Sequence, residues 1–355
     1  MEDHSTIIGL DLGDQYSTYC VLDEGGEVAE EVRIRTTPQA MSKTFSRYEH
    51  ARITIEVGTH SPWVSRLLVS MGHGVLVANP RKVRMIYQSD KKNDSLDAQT
   101  LARLARVDWK LLAPIQHRGE QAQLDLAVIR SRDAVVRTRT KLINHVRGMV
   151  KSIGGRISKC SADNFSSRAL EEMPEPLRAT LWAVVKTVAD LSRQIRGYDK
   201  QIEAMAEQRY PEVKVLTQIT GVGVLTALTY VLVLDDPHRF KKSRSVGAYL
   251  GLRPRLNQSG QSDRQLRITK AGDRLLRRLL VGSGQYILGP FGPDCDLRRW
   301  GLALAARGGN NAKKRAVVAV ARKLAVLLHR LWVTGEVYEP VRVAHQEVLM
   351  GNLNG

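Results

Sequence analysis

Short apolar runs separated by turns dominate the first third of the chain, and a helical pattern follows them. A Glu-Gly-Gly turn at 24–26 separates the second and third runs, as in a strand meander. From Asp94 onward, Leu96, Leu101, Leu104 and Val107 recur at helical spacing. The strands that the pattern predicts cover residues 5–12, 17–23, 27–36, 51–57 and 73–78. Strands followed by strand–helix alternation predict an α/β domain over residues 1–115.

Two long helical patterns occupy residues 116–210 and predict an antiparallel coiled-coil hairpin. The first covers 118–150 and the second 176–208, with a Gly/Ser-rich connection at 152–168. The apolar row expected to pack in the first helix has a four-and-seven spacing and consists of Leu124, Val128, Val135, Leu142, Val146 and Met149.

The remaining sequence, 211–340, predicts a mostly helical domain followed by a tail at 341–355. Ile-Thr-Gly-Val-Gly at 219–223 resembles the turn of a helix–hairpin–helix element, in which Gly221 and Gly223 let backbone amides approach a phosphate. The alternative is a glycine-rich junction inside a core. A polar loop is expected over 253–267, then a basic helix over 268–287.

Composition and charge narrow the class of protein. The chain has 355 residues, 43% of them hydrophobic, which argues against disorder throughout. Its longest apolar run, 224–234, is shorter than the roughly 20 residues that span a bilayer. The first residues lack the pattern of a signal peptide, and three distant cysteines do not support a disulfide scaffold. We expect a cytoplasmic protein of the bacterial cytosol, associated with the nucleoid and not with a membrane.

The net charge of +18 is concentrated in two blocks: 118–160 has a net charge of +7 and 241–330 has +16. Separate basic blocks are typical of surfaces that bind polyanions, foremost nucleic acid. The candidate nucleic-acid-binding residues are Arg130, Arg132, Arg137, Arg139, Lys141, Arg147, Gly221, Gly223, Arg253, Arg255, Arg264, Arg267, Lys270, Arg274, Arg277, Lys313, Lys314 and Arg315.

Four carboxylates form a candidate metal site. Asp11 ends the first predicted strand and Glu56 ends the fourth, whereas Asp94 and Asp97 lie three apart at the start of a helix and share a face. Carboxylate oxygens are the ligands that Mg²⁺ prefers. Two such ions about 4 Å apart can hold both oxygens of a phosphoryl displacement. Each acid alone is also consistent with a solvated charge or, for Asp94, a helix cap.

The order of these residues resembles a known family. Asp11, Glu56, Asp94 and Asp97 are similar to the DEDD set of RuvC-like nuclease domains with a ribonuclease-H fold. Lys-Asn-Asp-Ser-Leu-Asp-Ala at 92–98 resembles the Lys-x-Asp-x-x-Asp-Ala element of the DEDD insertion-sequence transposases, the bridge-RNA-guided serine recombinases. The motifs that match that family's second domain are Ile-Thr-Gly-Val-Gly (219–223), Arg-Phe (239–240), Tyr-Leu-Gly-Leu-Arg-Pro (249–254), Gln-Ser-Gly (258–260) and the basic stretch 268–280.

The resemblance implies a fold and a mechanism. It implies a RuvC-like ribonuclease-H fold over 1–115 and a mostly helical transposase domain over 211–340. The net +7 block on the first helix, and not the resemblance, predicts that the coiled-coil hairpin over 116–210 binds structured RNA; the alternative is an ordinary helical subdomain. Asp11, Glu56, Asp94 and Asp97 would hold two Mg²⁺ or Mn²⁺ ions. Ser259, in Gln-Ser-Gly, would be the nucleophile, with Ser262 as its rival. The implied partners are double-stranded target and donor DNA, a structured noncoding guide RNA, and further copies of the chain, as a dimer and as a tetramer in synapsis.

Three other functions remain open at this stage. A RuvC-class structure-selective nuclease, similar to a Holliday-junction resolvase and using metal-activated water, explains the acids but not the basic block at 241–330. An actin-like or sugar-kinase ATPase explains the Asp-Leu-Gly at 11–13, although no second such loop follows. A noncatalytic nucleic-acid chaperone explains the charge alone.

Overall fold

The computed structural model describes residues 6–80, 94–259 and 262–341, and for Asp94, 256–259 and 262–265 it describes the backbone alone. The chain divides into two units, Met1–Arg118 and Gly119–Gly355. Each unit is considered by itself below.

The described part of the first unit is built from strands and helices in the predicted places. Its helices are α1 (Pro38–Phe45), α2 (Ser61–Ser70) and α3 (Asp94–Asp108). Its strands are β1 (Ile7–Asp11), β2 (Tyr16–Leu22), β3 (Val28–Arg35), β4 (Arg52–Glu56) and β5 (Gly74–Ala78). The five strands and the helix predicted from the apolar pattern are therefore confirmed.

The strands form one mixed sheet in the order β3-β2-β1-β4-β5. β2 runs antiparallel to both β1 and β3, whereas β1, β4 and β5 run parallel to one another. A mixed central sheet of this kind, with helices on its faces, is consistent with a ribonuclease-H-like transposase domain.

Alternation along the strands gives the sheet two different faces. On one face Ile8, Leu10, Ile53 and Ile55 form a core that also includes side chains of α1 and α2. On the other face β1 carries Gly9, and helix α3 packs directly against it. The face under α3 is the one that continues to the acidic residues at the strand ends.

The second unit begins with the predicted hairpin, made of α4 (Glu120–Ser152), α5 (Phe165–Glu172) and α6 (Glu175–Arg209). Its long helices are antiparallel, because Arg132 contacts Asp199 while Arg139, farther along α4, contacts Ser192. The far part of the hairpin has a small core of its own, which includes Val146, Val150, Phe165, Val185 and Val188.

The predicted apolar row of the first helix is only partly right. Leu124 and Met149 are 58% and 38% exposed, and the buried positions are Ala122, Leu126, Ile129, Ile143, Val146 and Val150. Asp125 also belongs to this buried row. Its carboxylate has partners there, because it accepts a hydrogen bond from Tyr210 Oη at 2.6 Å and pairs with Arg209. A polar position can thus belong to a buried row when partners from another helix reach it.

Helices account for most of the described remainder of the unit. They are α7 (Glu212–Leu216), α8 (Val224–Leu234), α9 (Arg244–Tyr249), α10 (Arg274–Leu288), α11 (Asp296–Ala306) and α12 (Ala312–Thr334). The apolar run at 224–234 is α8, a central helix buried on nearly all sides that contacts α4, α6, α7 and α10. Among the residues that the structure describes, no helix is long and apolar enough to cross a membrane.

The polar loop predicted over 253–267 is wrong, because this segment forms a β-hairpin. Strand β6 (Pro254–Ser259) pairs antiparallel with β7 (Ser262–Ile268), leaving two residues between them. A two-residue connection that begins with Gly is a recognised hairpin sequence. The strands escaped prediction because polar and charged residues outnumber apolar ones, so the sequence lacks the apolar alternation of a half-buried strand.

Candidate active site and nucleic-acid interface

Asp11 and Glu56 end neighbouring parallel strands at the same level. Leu10 of β1 is in register with Ile55 of β4, so the next residue of each strand is an acid. Neighbouring strands lie about 4.8 Å apart, and residues at one level of a parallel pair share a face of the sheet. The two carboxylates therefore start from adjacent backbone positions on one face.

Gly9 seats helix α3 on that same face. A Cβ added at Gly9 would lie 2.0 Å from the carbonyl oxygen of Ala98 and 2.6 Å from the amide nitrogen of Ala102. No side chain fits there, and glycine lets the helix backbone lie directly on the strand. Ala98 and Ala102 are fully buried beside Cys20 and Leu22.

The direction of α3 follows from its polar contacts. Near its start, Ser95 and Gln99 donate hydrogen bonds to Glu31 on β3, the latter at 2.7 Å, and these bonds hold the pKa of Glu31 below its usual value. Near its end, Arg106 donates to the carbonyl oxygens of Asp23 and Glu24, in the turn that lies beyond the start of β1. Helix α3 thus runs opposite to β1 and begins at the Asp11 end.

Asp94 and Asp97 therefore come to the edge of the sheet that carries Asp11 and Glu56. Ala98 lies over Gly9. From there, one turn back along α3 to Asp94 and two residues forward along β1 to Asp11 each cover about 6 Å in the same direction. Asp97 lies in the row of Leu101 and Ala105, which packs towards β5. The side chain of Asp94 lies outside the described residues.

The donor chemistry of this edge fits divalent cations of the Mg²⁺ type, which take carboxylate oxygens. Where side chains are described, no three His, Cys, Asp or Glu residues lie close enough together to hold an ion. The structure thus brings Asp11, Glu56 and the start of α3 to one place, and it defines no coordination geometry.

The two candidate nucleophiles lie opposite each other in the β6–β7 hairpin. Ser259 is the last residue of β6 and pairs in register with Ser262, the first residue of β7. Their side chains, and that of Arg264, lie outside the described residues. The register alone does not distinguish the two serines, because both occupy the last pair before the turn.

A third serine escaped the sequence analysis. Ser243 Oγ lies 2.9 Å from His329 Nδ1, and His329 Nε2 lies 2.9 Å from the carbonyl oxygen of Pro237. A carbonyl only accepts, so Nε2 carries a proton; in the neutral ring Nδ1 then accepts the hydrogen bond of the serine hydroxyl. A serine with an adjacent, oriented histidine is the arrangement of an activated nucleophile. It also ties α12 to the start of α9, and no sequence motif marks these distant residues.

Most of the hairpin arginines have partners within the protein. Arg130 pairs with Asp273, Arg132 with Asp199, Arg137 with Asp133 and Arg139 with Asp163, while Arg147 donates to the carbonyl oxygens of Ile157 and Ser158 and lies over the ring of Phe165. Arg139 is only 11% exposed, so its contacts belong to the fold of the hairpin. Arg130 and Arg137 are 54% and 64% exposed despite their ion pairs, and Lys141 is exposed as well.

The candidate basic residues of the C-terminal block are of two kinds: some hold the fold together and others are exposed. Arg277 donates to the carbonyl oxygens of Leu250 and Ala271 and so fixes the loop before α10. Arg315 makes a long contact with the carbonyl oxygen of Gly308, and Lys270 is exposed. Candidate residues that are exposed and form no ion pair with any described residue include Arg253, Arg255, Arg267, Arg274, Lys313 and Lys314.

The glycines of the helix–hairpin–helix-like motif lie between α7 and α8. Gly221 has φ +96°, and a Cβ there would lie 2.8 Å from Tyr286. Close packing and a left-handed backbone thus account for Gly221. Gly223 is exposed at the N-cap of α8, where a Cβ would meet nothing within 4 Å.

Two family models match separate parts of the chain, and the first of them extends through α4 of the hairpin. The model of the IS110-type DEDD transposases, described as a transposase, matches residues 8–154 and so includes the four acids. The model described as the transposase IS116/IS110/IS902 family matches residues 213–287, which include Ser259.

Curated relatives are similar over 78% to 94% of the chain. A protein of Sinorhizobium fredii named putative transposase y4pF/y4sB is 30% identical over 315 residues, which are 86% of this chain and 79% of that protein. The chain belongs to the IS110/IS116 family of DEDD transposases. The transposase for insertion sequence element IS1111A of Coxiella burnetii is 28% identical over 94% of this chain and 91% of its own length. The transposase for IS1328 of Yersinia enterocolitica is 27% identical over 78% and 82%, respectively.

Family membership settles the class of activity. The protein is a transposase, an enzyme that cleaves and joins DNA strands during the transposition of an insertion sequence. The alternative of a noncatalytic nucleic-acid chaperone is therefore wrong, and the expectation of a transposase is confirmed. The resolvase-like and ATPase alternatives are not favoured, since both matched models are transposases.

Proposed function

We propose that this transposase is an RNA-guided DNA recombinase that cuts and rejoins strands through a covalent serine–DNA intermediate, assisted by two Mg²⁺ or Mn²⁺ ions. The observation that carries the proposal is the acidic edge: Asp11 and Glu56 end adjacent parallel strands, and α3 begins over them with Asp94 and Asp97. The sequence resemblance supplies the serine and the guide RNA.

The four acids are the proposed metal ligands. Bound there, two divalent cations would neutralise the scissile phosphate and the charge that develops during its displacement. The protein's contribution is to fix the carboxylates in advance, since Gly9 holds α3 on β1 and Glu31 holds the start of the helix over β3. Preorganised charge of this kind requires little rearrangement at the moment of reaction.

Ser259 is the proposed nucleophile. Its Oγ attacks the phosphorus of the scissile phosphodiester, a serine–phosphorus ester bond forms, and the bond from phosphorus to one deoxyribose oxygen breaks. The hydroxyl proton leaves with a base, and the departing oxygen takes up a proton. Rejoining is the reverse displacement by a strand hydroxyl, so no ATP is needed because each step exchanges one phosphodiester for another.

The hairpin over 116–210 is the proposed binding site for the guide RNA. Duplex RNA is recognised mainly through phosphates, shape and 2′-hydroxyls, so exposed cations suffice without a base code. Arg130, Arg137 and Lys141 are the exposed basic residues of α4 in this set. Reversal of charge at Arg137 and Lys141 should weaken RNA binding and reduce its salt dependence. Unchanged RNA affinity and salt slope would move the RNA to the C-terminal block.

The proposed assembly is a homodimer that pairs into a tetramer when donor and target DNA are brought together. Strand exchange between two duplexes requires cuts on four strands, and one nucleophile per chain then requires four chains. Light scattering of the protein with guide RNA and both DNAs should give the mass of a tetramer. A complex that recombines DNA with fewer chains would contradict this assembly.

The metal assignment is tested by one substitution with a close control. Asp11→Asn removes a proposed ligand but keeps the side-chain volume, whereas Asp14→Asn changes an acid in the adjacent turn that is 96% exposed. With guide RNA, Mg²⁺ and plasmid substrates, Asp11→Asn should abolish strand cleavage while it retains nucleic-acid binding, and Asp14→Asn should cleave as the wild type does. Wild-type cleavage by Asp11→Asn would refute the metal site.

A further inference from the structure

One large groove lies in the second unit, beside the base of the β6–β7 hairpin. Its volume is about 1710 Å³, and its walls come from α9, β6, β7, α11, α12 and the segment 336–340. Small-molecule sites have volumes of roughly 300–1,000 Å³, so this groove has room for a segment of a polymer. We call it the C-terminal groove.

Charge identifies the kind of polymer. Arginine and lysine outnumber acids along the groove, and the acids are Asp296, Glu336 and Glu339. Of these, Glu336 is already paired with Arg330. Arg244, Arg267, Arg307, Lys314 and Arg322 are exposed, and none forms an ion pair with a described residue. A concave surface with this excess of unpaired positive charge is complementary to a chain of phosphates.

The apolar surface of the groove indicates that the polymer is an unpaired strand and not a duplex. Leu304, Val318 and Leu327 contribute apolar surface between the cations, and Trp300 presents its ring there with Lys323 Nζ 3.8 Å from the ring centroid. Aromatic and apolar surface inside a basic groove is typical of single-strand binding, because exposed bases stack on it. A duplex keeps its bases inside and needs only the phosphate contacts.

We propose that the C-terminal groove binds an unpaired DNA strand, with a base stacked on Trp300 and phosphates on the surrounding arginines and lysines. The inference rests on the proposed function for its choice of DNA. Pro254, Leu266, Arg267 and Ile268, at the base of the hairpin, line the groove, and the same hairpin carries Ser259 at its end. The groove therefore continues from the element that carries the proposed nucleophile.

The groove has features of a preformed site. The side chain of Arg322 lies against Gly247 of α9, where an added Cβ would be 3.1 Å from Arg322 Cγ. Gly301 allows α11 to lie close to α12, since a Cβ there would be 2.5 Å from Val320. These contacts fix the walls in the free protein. Lys323 has a flexible stem, so its ammonium can leave the ring for a phosphate when a base stacks.

The stacking contact is tested on the whole protein by fluorescence anisotropy with labelled single-stranded oligodeoxythymidylate, in EDTA so that no cleavage occurs. Trp300→Ala should lower affinity by about tenfold or more, the usual effect of removing one stacking partner, and Trp300→Phe should restore most of it. Phe291→Ala is the control, because Phe291 is an aromatic side chain that is 83% exposed and lies outside both the groove and the helical hairpin.

The phosphate contacts are tested by salt dependence. The double variant Arg307→Glu with Lys314→Glu should reduce the slope of log affinity against log salt by about 1.4, at roughly 0.7 per phosphate contact for a single strand. The control double variant, Lys43→Glu with Lys110→Glu, changes two exposed lysines outside both the groove and the helical hairpin and should leave the slope near that of the wild type.

Three outcomes would overturn the proposal. Equal losses in the groove and control variants would mean diffuse binding to a basic protein. If a duplex of the same length binds as tightly as the single strand, and Trp300→Ala has no effect, the groove binds double-stranded DNA. Tighter, Trp300-dependent binding of oligouridylate would assign the groove to RNA. Asp11→Asn and Ser259→Ala should bind the single strand normally, so failure of the groove and failure of the proposed chemistry are distinguishable.

Discussion

Replacement of Gly9 by alanine tests how the acidic edge is assembled. The added Cβ would lie 2.0 Å from the carbonyl oxygen of Ala98, whereas ordinary carbon–oxygen contacts are about 3.3 Å or longer. Helix α3 must therefore retreat from β1 by about 1.3 Å. Because α3 carries Asp94 and Asp97 and β1 carries Asp11, the retreat separates the proposed metal ligands.

The expected loss of activity is large compared with the loss of stability. A displacement of about 1 Å at a catalytic constellation costs roughly 100-fold in rate, and overpacking a core typically costs about 1–3 kcal/mol. We therefore expect Gly9→Ala to remain folded at low temperature, to cleave DNA about 100-fold more slowly, and to bind Mn²⁺ more weakly by electron paramagnetic resonance.

Two controls separate geometry from stability. Leu68→Ala creates a cavity on the opposite face of the same sheet and should cost about 2–5 kcal/mol, but it should cleave normally wherever it is folded. Gly148→Ala, in the interior of α4 where a Cβ meets nothing within 4 Å, should stabilise the protein by about 0.5–1 kcal/mol. Wild-type cleavage and Mn²⁺ affinity in Gly9→Ala would refute the reasoning.

Three further predictions concern the fold around the sites. Arg139→Ala should destabilise the hairpin by about 1–3 kcal/mol because it breaks contacts with Asp163 and Ser192, whereas Lys141→Ala should change the unfolding free energy by less than about 0.5 kcal/mol in urea titrations. Hydrogen bonds from two tyrosines lower the pKa of Glu30, so the stability that this carboxylate adds is present above its unfolded pKa and is lost as pH falls through the lowered value. Acid-induced melting curves should show this loss, and Glu30→Gln should flatten it. Gly221→Ala, strained by its positive φ and by Tyr286, should lower the melting temperature without a specific change in the salt dependence of DNA binding if Gly221 serves packing alone.

The elements that the sequence predicted best were those whose apolar residues are the buried ones. Strands β1, β2, β4 and β5 have buried or half-buried apolar residues, so their short apolar runs were visible, and strand ends fixed the positions of Asp11 and Glu56. Strand β3 has no buried residue and was marked by the Glu-Gly-Gly turn before it. The close packing of α3 on Gly9 was not predictable, since one glycine in an apolar run does not indicate that a helix backbone contacts it.

The less regular parts depend on partners that are distant in sequence. Asp125 belongs to the buried row of α4 only because Tyr210 and Arg209 reach it from the far end of α6. The β6–β7 hairpin has too little apolar alternation to stand out, and Ser243 meets His329 across 86 residues. The basic block at 118–160 likewise has the composition of a binding surface, but several of its arginines pair with acids that are distant in sequence or one turn away on the same helix.

The central proposal, covalent attack by Ser259, is tested most directly on a denaturing gel. Protein, guide RNA, Mg²⁺ and labelled target DNA are mixed, and wild type should give a slow protein–DNA adduct that peptide mass maps to the segment 256–264. Ser259→Ala should lose the adduct and recombination but retain DNA binding, while Ser262→Ala and Ser243→Ala keep the adduct. An adduct that survives Ser259→Ala and disappears with one of the other two would move the nucleophile to that serine. Cleavage without any adduct would contradict the covalent mechanism and indicate attack by water.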